Sequence, residues 1–390
     1  MTSAGTPDPL GPARLGPLQL RNRVIKAATF EGLTPQGLVT DELIDFHRRP
    51  ARGGVGMTTV AYCAVSPEGR TDRHQLHWRP EAMAGLRRLT DAVHAEGAAV
   101  SAQIGHAGPV ADAKSNRLPA LSPSRTFQPL GMTFTEAASV AELARVTTAH
   151  ADAARMAVEA GFDAVEIHLG HNYLASAFLS PRLNRRHDDY GGELVNRARL
   201  AREIARAVRD AVGSRIAILA KLNMDDGVRR GLRLDESIQV AQWLEQDGSL
   251  DALELTAGSS LLNPMYLFRG SAPLREFAAA MPQPMRLGVQ LAGRTRLHSY
   301  PYHDGYLLAD AKKVRAAVSL PLVLLGGITT KALMDQAMAE GFAFVAMARA
   351  LLREPDLINR IRSDGQSTSR CTHCNKCMPT IYSGTRCVLL

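Results

Sequence analysis

Short apolar runs rich in β-branched residues alternate with longer amphipathic runs eight times along this chain. The spacing predicts a strand over Arg23–Ala28 and a helix over Asp41–Arg49, then Val55–Ala61 with Glu81–Glu96, and Ala98–Ile104 with Ala141–Ala160. Phe162–Ile167 pairs with Glu193–Val212, Arg215–Leu222 with Asp235–Gln246, and Leu250–Leu255 with Gly305–Val318. Leu320–Leu325 pairs with Thr330–Glu340, and Ala343–Ala348 with a last helix near Ala350–Arg362. Period-2 and continuous apolar runs read as strands, and 3.6-residue periodicity reads as helix. Eight such units call for an α/β fold of the (β/α)8 TIM-barrel type as one domain over 1–365, with a short Cys-rich tail over 366–390 packed on it. A doubly wound open sheet is the alternative, but no G-x-G-x-x-G follows an early strand.

Two connections are long, Gly105–Val140 after the third strand and Thr256–Asp304 after the sixth, the latter read as irregular. Loops of that length in a compact domain usually serve function, so a lid or a substrate-shaping role is expected, against simple packing as the plainer reading. Composition narrows the setting. A hydrophobic share of 45% with 22% charged residues is that of a soluble globular chain. No uncharged apolar run approaches the ~18 residues of a membrane span, and the Pro- and Gly-containing start lacks the apolar core of a signal peptide. Four of five cysteines fall in the last 20 residues, which leaves no distributed disulfide framework and fits the cytoplasm. The formal charge of +8 is scattered along the chain, so it fits attraction for anionic ligands better than a nucleic-acid footprint. A small-molecule substrate is expected, with homo-oligomerisation left open.

The chemistry concentrates in Gly161–Arg197. Its strand ends in His168, His171 and Tyr173, side chains that donate hydrogen bonds and move protons. In a barrel, that end of the strand is where catalysis sits. The pattern H-x-x-H-x-Y, then F-L-S-P-x-x-N-x-R-x-D-x-Y-G-G-x-x-x-N-R, resembles the signature of the Old Yellow Enzyme family, most of all its 2,4-dienoyl-CoA reductase branch. The resemblance implies an FMN-dependent oxidoreductase that takes hydride from NAD(P)H and reduces an activated C=C bond in an enone, enoyl thioester or quinone-like acceptor. It also implies that His168 and His171 polarise the acceptor and that Tyr173 donates the proton.

A flavin needs an anion site for its phosphate, polar partners for its ring edge and a positive charge near N1. Gly326 and Gly327 after the seventh strand, and Ala348 and Arg349 after the eighth, stand where barrels bind phosphate. They resemble the family's G-G and G-R turns, with Ala348 in place of glycine. Gln103 matches the family glutamine at the pyrimidine edge, and Lys221 replaces the arginine near N1. Ala28 and Thr29 stand where the family has a Pro-Met-Thr or Pro-Met-Cys segment against the flavin. In the tail, Cys371, Cys374, Cys377 and Cys387 form C-x2-C-x2-C-x9-C, a density that points to a metal. The related branch carries a 4Fe–4S cluster near here with C-x2-C-x3-C spacing and a second, electron-donating half beyond it. The different spacing leaves iron–sulfur, structural zinc and free thiols all open. Two other functions compete with the first: a flavin-free barrel lyase or isomerase acting on a phosphorylated substrate, and a non-enzymatic binder with a zinc-knuckle tail.

Overall fold

Eight parallel strands close on themselves. The computed structural model describes residues 5–128, 132–281, 283 and 285–390, so 129–131 within the first long connection, 282 and 284 within the second, and the first four residues lie outside it. The barrel strands are β1 (Val24–Lys26), β2 (Met57–Ala64), β3 (Ala99–Gly105), β4 (Ala164–Leu169), β5 (Ala217–Asn223), β6 (Ala252–Thr256), β7 (Leu322–Leu324) and β8 (Phe344–Met347). Each pairs in parallel with the next, and β8 returns to β1 through Val345 opposite Val24. The outer ring is α1 (Asp41–Arg52), α2 (Met83–His94), α3 (Val140–Glu159), α4 (Arg199–Val212), α5 (Leu234–Gln246), α6 (Leu308–Ala317), α7 (Lys331–Ala339) and α8 (Leu357–Asp364). The expected α/β barrel is the fold observed.

Strand parity separates two cores. Inward-facing Met57, Leu219, Val323 and Phe344 fill the barrel against the alanines Ala164, Ala217 and Ala252, large against small. A hairpin of Ala13–Leu15 with Leu18–Leu20 closes the N-terminal end by adding Leu15 and Leu20 to that cluster. Outward-facing Val165, Ile167 and Ile218 meet Leu143, Leu200 and Ile204 of the helices in the larger core. Because both faces of every strand are covered, the strands read as nearly unbroken apolar runs. Local caps fix the helix starts. Ser139 and Glu142 form a capping box on α3, and the hydroxyls of Thr40 and Thr330 accept backbone N–H groups on α1 and α7.

The structure corrects two element predictions. The expected final helix over 350–362 is broken into Arg349–Arg353 and α8, because Pro355 cannot continue a helix and forces Glu354 to an extended φ of −139°. The segment after β6 is not irregular throughout: it holds helices at Pro264–Phe268, Leu274–Ala280 and Met285–Arg296. One glycine ties the third and fourth units together. Gly108 has φ of 58°, and a Cβ there would come within 2.7 Å of the Leu174 backbone nitrogen. The neighbouring His106 carbonyl accepts that same Leu174 N–H at 2.9 Å, which docks the turn after β4 against the end of β3.

Phe344, 1% exposed inside the barrel, shares its cluster with the alanines Ala164, Ala217 and Ala252, too short to fill the space it would vacate. Phe344→Ala is expected to cost about 3–5 kcal/mol in urea denaturation; a cost below about 1 kcal/mol would show that the barrel interior repacks.

Candidate active site at the barrel mouth

Polar residues replace apolar ones toward the C-terminal end of the barrel interior. On β4 the inward positions run Ala164, Glu166, His168, and register places Glu166 opposite Gln103 of β3. Lys221 of β5 lies opposite Glu254 of β6. Lys221 Nζ donates to Glu166 Oε1 at 2.8 Å and to Glu254 Oε1 at 2.5 Å, while Gln103 Nε2 donates to Glu166 Oε1 at 2.7 Å. Burial works against the Lys221 ammonium, yet the two carboxylates together hold its pKa above the ordinary value. Burial and the neighbouring Glu166 push Glu254 up to about 8 despite Lys221, so Glu254 carries a proton at neutral pH. The positive charge expected at Lys221 is therefore shared with two acids. Glu166 and Glu254 escaped the sequence reading, although an acidic residue inside V-E-I and L-E-L strands was their signal.

One step further out stand His168, Asn223 and Thr256. The turn after β4 passes through His171 and Asn172 at φ of 59° and 60°, a left-handed pair that turns the chain back over the barrel. The His171 N–H donates to Asn223 Oδ1 at 3.1 Å, and His171 Nε2 lies 2.9 Å from Thr256 Oγ1. The ring of His168 is 4.3 Å from that of Tyr173 and 5.1 Å from that of His171. Tyr62 of β2, a residue missed in the sequence, packs edge-on to Tyr173 at 5.2 Å and donates its hydroxyl to the Gly69 carbonyl. Burial, then His171 and Lys221, drives His168 well below the usual imidazole range, and burial with Lys221 brings His171 down to about 3. Burial alone raises the Tyr173 phenol. At neutral pH the mouth thus presents two uncharged imidazoles and a protonated phenol. Nδ1 of His168 and Oε2 of Glu254 are buried without a hydrogen-bond partner among the described residues.

The remaining predicted residues border this cluster. Ala28 packs on the group containing Tyr62 and Tyr173. Thr29 Oγ1 accepts from the buried Lys26 Nζ at 2.8 Å, and Lys26 lies 3.4 Å from Glu31, whose Oε2 accepts the Ala61 N–H at 3.0 Å. Gly326 and Gly327 follow β7 at φ of 102° and 75°, and the Gly327 carbonyl accepts from Gly305 N at 3.2 Å. A Cβ on Gly327 would come within 2.8 Å of that nitrogen, so only glycine fits the turn. Ala348 leads into Arg349, whose guanidinium donates to Asn375 Oδ1 at 2.5 Å and to the Phe268 carbonyl at 2.7 Å. Arg349 thereby ties the tail and the segment after β6 to the end of β8.

The tail brings Cys371, Cys374, Cys377 and Cys387 around one small cavity with Arg349, Arg353 and Arg370, all four as free thiols. No three His, Cys, Asp or Glu side chains among the described residues are disposed to hold a metal ion. The 4Fe–4S cluster or zinc expected at these cysteines is therefore not supported: the sulfurs share a cavity with arginines without forming a ligand set.

Residues 10–256 match the family model described as NADH:flavin oxidoreductase / NADH oxidase. The chain belongs to this family. Over 389 residues, all of this chain and 96% of the other, it is 55% identical to a 4,4'-dithiodibutanoate disulfide reductase of Rhodococcus erythropolis. It spans about half the length, 51% and 53%, of two further curated relatives it matches. Among solved structures, a 2-naphthoyl-CoA reductase complex superposes at a TM-score of 0.83 with 24% identity, covering 98% of this chain and 57% of that one. An Old Yellow Enzyme homologue from Zymomonas mobilis superposes at 0.73 with 22% identity, covering 94% and 96%. The chain is thus a flavin-dependent NAD(P)H oxidoreductase of the family it resembles. No described helix is long and apolar enough to cross a membrane.

The mouth fits FMN on its own chemistry. Buried Gln103 and Lys221 are donors, and the orphaned His168 Nδ1 and Glu254 Oε2 are polar atoms that a bound ligand would satisfy. Gly326–Gly327 and Ala348–Arg349 end adjacent strands.

Glu254 also makes stability depend on pH. Its folded pKa of about 8 exceeds the unfolded 4.5, so its stabilisation is complete below the unfolded value and is lost as pH rises through about 8. Glu254→Gln should flatten the fall in melting temperature between pH 6 and 9, measured in parallel with wild type; an unchanged slope would place Glu254 as ionised at neutral pH.

Proposed function

We propose that this enzyme reduces an activated C=C bond, in an enone, enoyl thioester or quinone-like acceptor, with electrons from NAD(P)H. The observation that carries the reading is the cluster of buried His168 and Tyr173 with half-buried His171, three groups that are neutral donors at physiological pH. Gln103, Lys221, Ala28 and Thr29 would hold the ring system of FMN, and Gly326, Gly327, Ala348 and Arg349 its phosphate. Bound there, FMN supplies hydride transfer from the nicotinamide to the acceptor. The imidazoles of His168 and His171 donate to the acceptor's carbonyl oxygen and stabilise the negative charge that develops there. Tyr173 keeps its proton in the buried site and delivers it to the carbon beside that carbonyl. Tyr62 packs edge-on against the Tyr173 ring.

A second acceptor is supported by the relative from Rhodococcus erythropolis, named as a disulfide reductase. A hydride arriving at one sulfur of R–S–S–R breaks the S–S bond to give a thiol and a thiolate, and a proton from Tyr173 makes the second thiol. The same donors serve both acceptors. Parallel turnover of an enone and of 4,4'-dithiodibutanoate, each with NADH and NADPH, ranks the two.

Replacing His168 and His171 together with alanine should lower acceptor reduction by about 10²–10³-fold while FMN remains bound. Wild-type turnover by the double variant would remove the pair from the reaction. Tyr173→Phe should slow acceptor reduction by about 10²–10⁴-fold and leave flavin reduction by NAD(P)H near the wild-type rate. Equal slowing of both half-reactions in stopped-flow would mean that Tyr173 positions the cofactor instead.

A further inference from the structure

Beyond β6 the chain folds back onto the catalytic turn. The Ser260 N–H donates to the His171 carbonyl at 3.1 Å, and Leu261 packs on the cluster of Tyr62 and Tyr173. The helix Pro264–Phe268, which rises about 7.5 Å, then leads to Arg269. The Arg269 guanidinium lies over three tyrosine rings, 4.1 Å from the centroid of Tyr266, 5.2 Å from Tyr300 and 6.0 Å from Tyr306. Asn263 fixes this cage by donating through Nδ2 to the Tyr300 hydroxyl and to the Gly227 carbonyl, both at 2.7 Å. Among the described residues, the buried Arg269 Nε has no hydrogen-bond partner and no carboxylate forms a salt bridge with this guanidinium.

A guanidinium held among aromatic rings, with a buried unused donor, is suited to receive a planar anion. Arg269 is half-buried with no carboxylate beside it, so a carboxylate ligand would add a charge-assisted pair through the buried Nε. The neighbouring Arg349 already serves the strand end beside Gly327, while Arg269 belongs to the segment bonded to His171. We propose that Arg269 is an oxyanion subsite that takes the carboxylate of an acidic acceptor whose reducible bond lies against His168 and His171. The proposal rests on the reading of the site as an acceptor-reducing centre and adds the substrate's charge to it.

The test compares acidic and neutral acceptors on the FMN-loaded enzyme: 4,4'-dithiodibutanoate against its dimethyl ester, and a carboxyalkyl maleimide against an N-alkyl maleimide. Arg269→Met should lower kcat/KM for the acidic member of each turned-over pair by about 10–100-fold, the value of a charge-assisted hydrogen bond. The loss should appear in KM, the neutral member should be unaffected, and Arg269→Lys should restore part of the difference. An equal loss on acidic and neutral acceptors would assign Arg269 a structural role and overturn the subsite. Loss of bound FMN with riboflavin binding retained would place the cofactor phosphate there and overturn it as well. A wild type that reduces neutral acceptors with no preference for acidic ones would sink the subsite and leave the enzymatic reading standing. A wild type that reduces none of the four would remove the reading itself, and the subsite with it.

Discussion

The ammonium of Lys221, clasped between Glu166 and Glu254 inside the barrel, is the constraint on which the mouth depends. A charge buried to 2% exposure survives only when partners replace water. Here two acids and one base share a dry space. Their balance is reached by keeping one acid protonated. Removing one member of such a set typically costs about 3–5 kcal/mol, because the others are left uncompensated. The same arrangement holds β4, β5 and β6 in register at the level where His168, Asn223 and Thr256 emerge. His171 is seated on Asn223 and Thr256, so the geometry of the turn after β4 is inherited from the charged layer beneath it.

Much of the architecture was legible because barrel strands covered on both faces give continuous apolar runs, and the amphipathic helices between them keep a different period. Boundaries moved by a few residues for local reasons, as where Pro355 breaks the last helix. The turn of His168, His171 and Tyr173 was legible from its motif. Tyr62 was not, since a tyrosine inside T-T-V-A-Y-C-A reads as ordinary strand filling, and only the pairing of both β2 and β4 with β3 brings it near Tyr173. Lys221 was found as a charge, but its partners sit 55 and 33 residues away in sequence, and pairing across strands has no local signal.

The cysteines carry a similar lesson. Their density in the last 20 residues pointed to a metal, and proximity was indeed achieved around one cavity. Proximity is not coordination: among the described residues no three such side chains are disposed to hold a metal ion, and Arg353 approaches Cys387 at 3.8 Å. What the tail visibly does is mechanical. Asn375 binds Arg349 and the Arg269 and Ser271 carbonyls, and the Thr385 N–H donates to the Glu31 carbonyl, so the chain's end is fastened to both sides of the mouth.

The central claim is that one flavin site connects nicotinamide oxidation to acceptor reduction at the His168–Tyr173 cluster. Anaerobic stopped-flow absorbance on the purified holoenzyme tests it most directly. NADH or NADPH should bleach the flavin bands completely, and a subsequent pulse of an activated enone or of 4,4'-dithiodibutanoate should restore them in one two-electron step. A protein that binds no flavin, or a bleached flavin that no such acceptor reoxidises, would contradict the account.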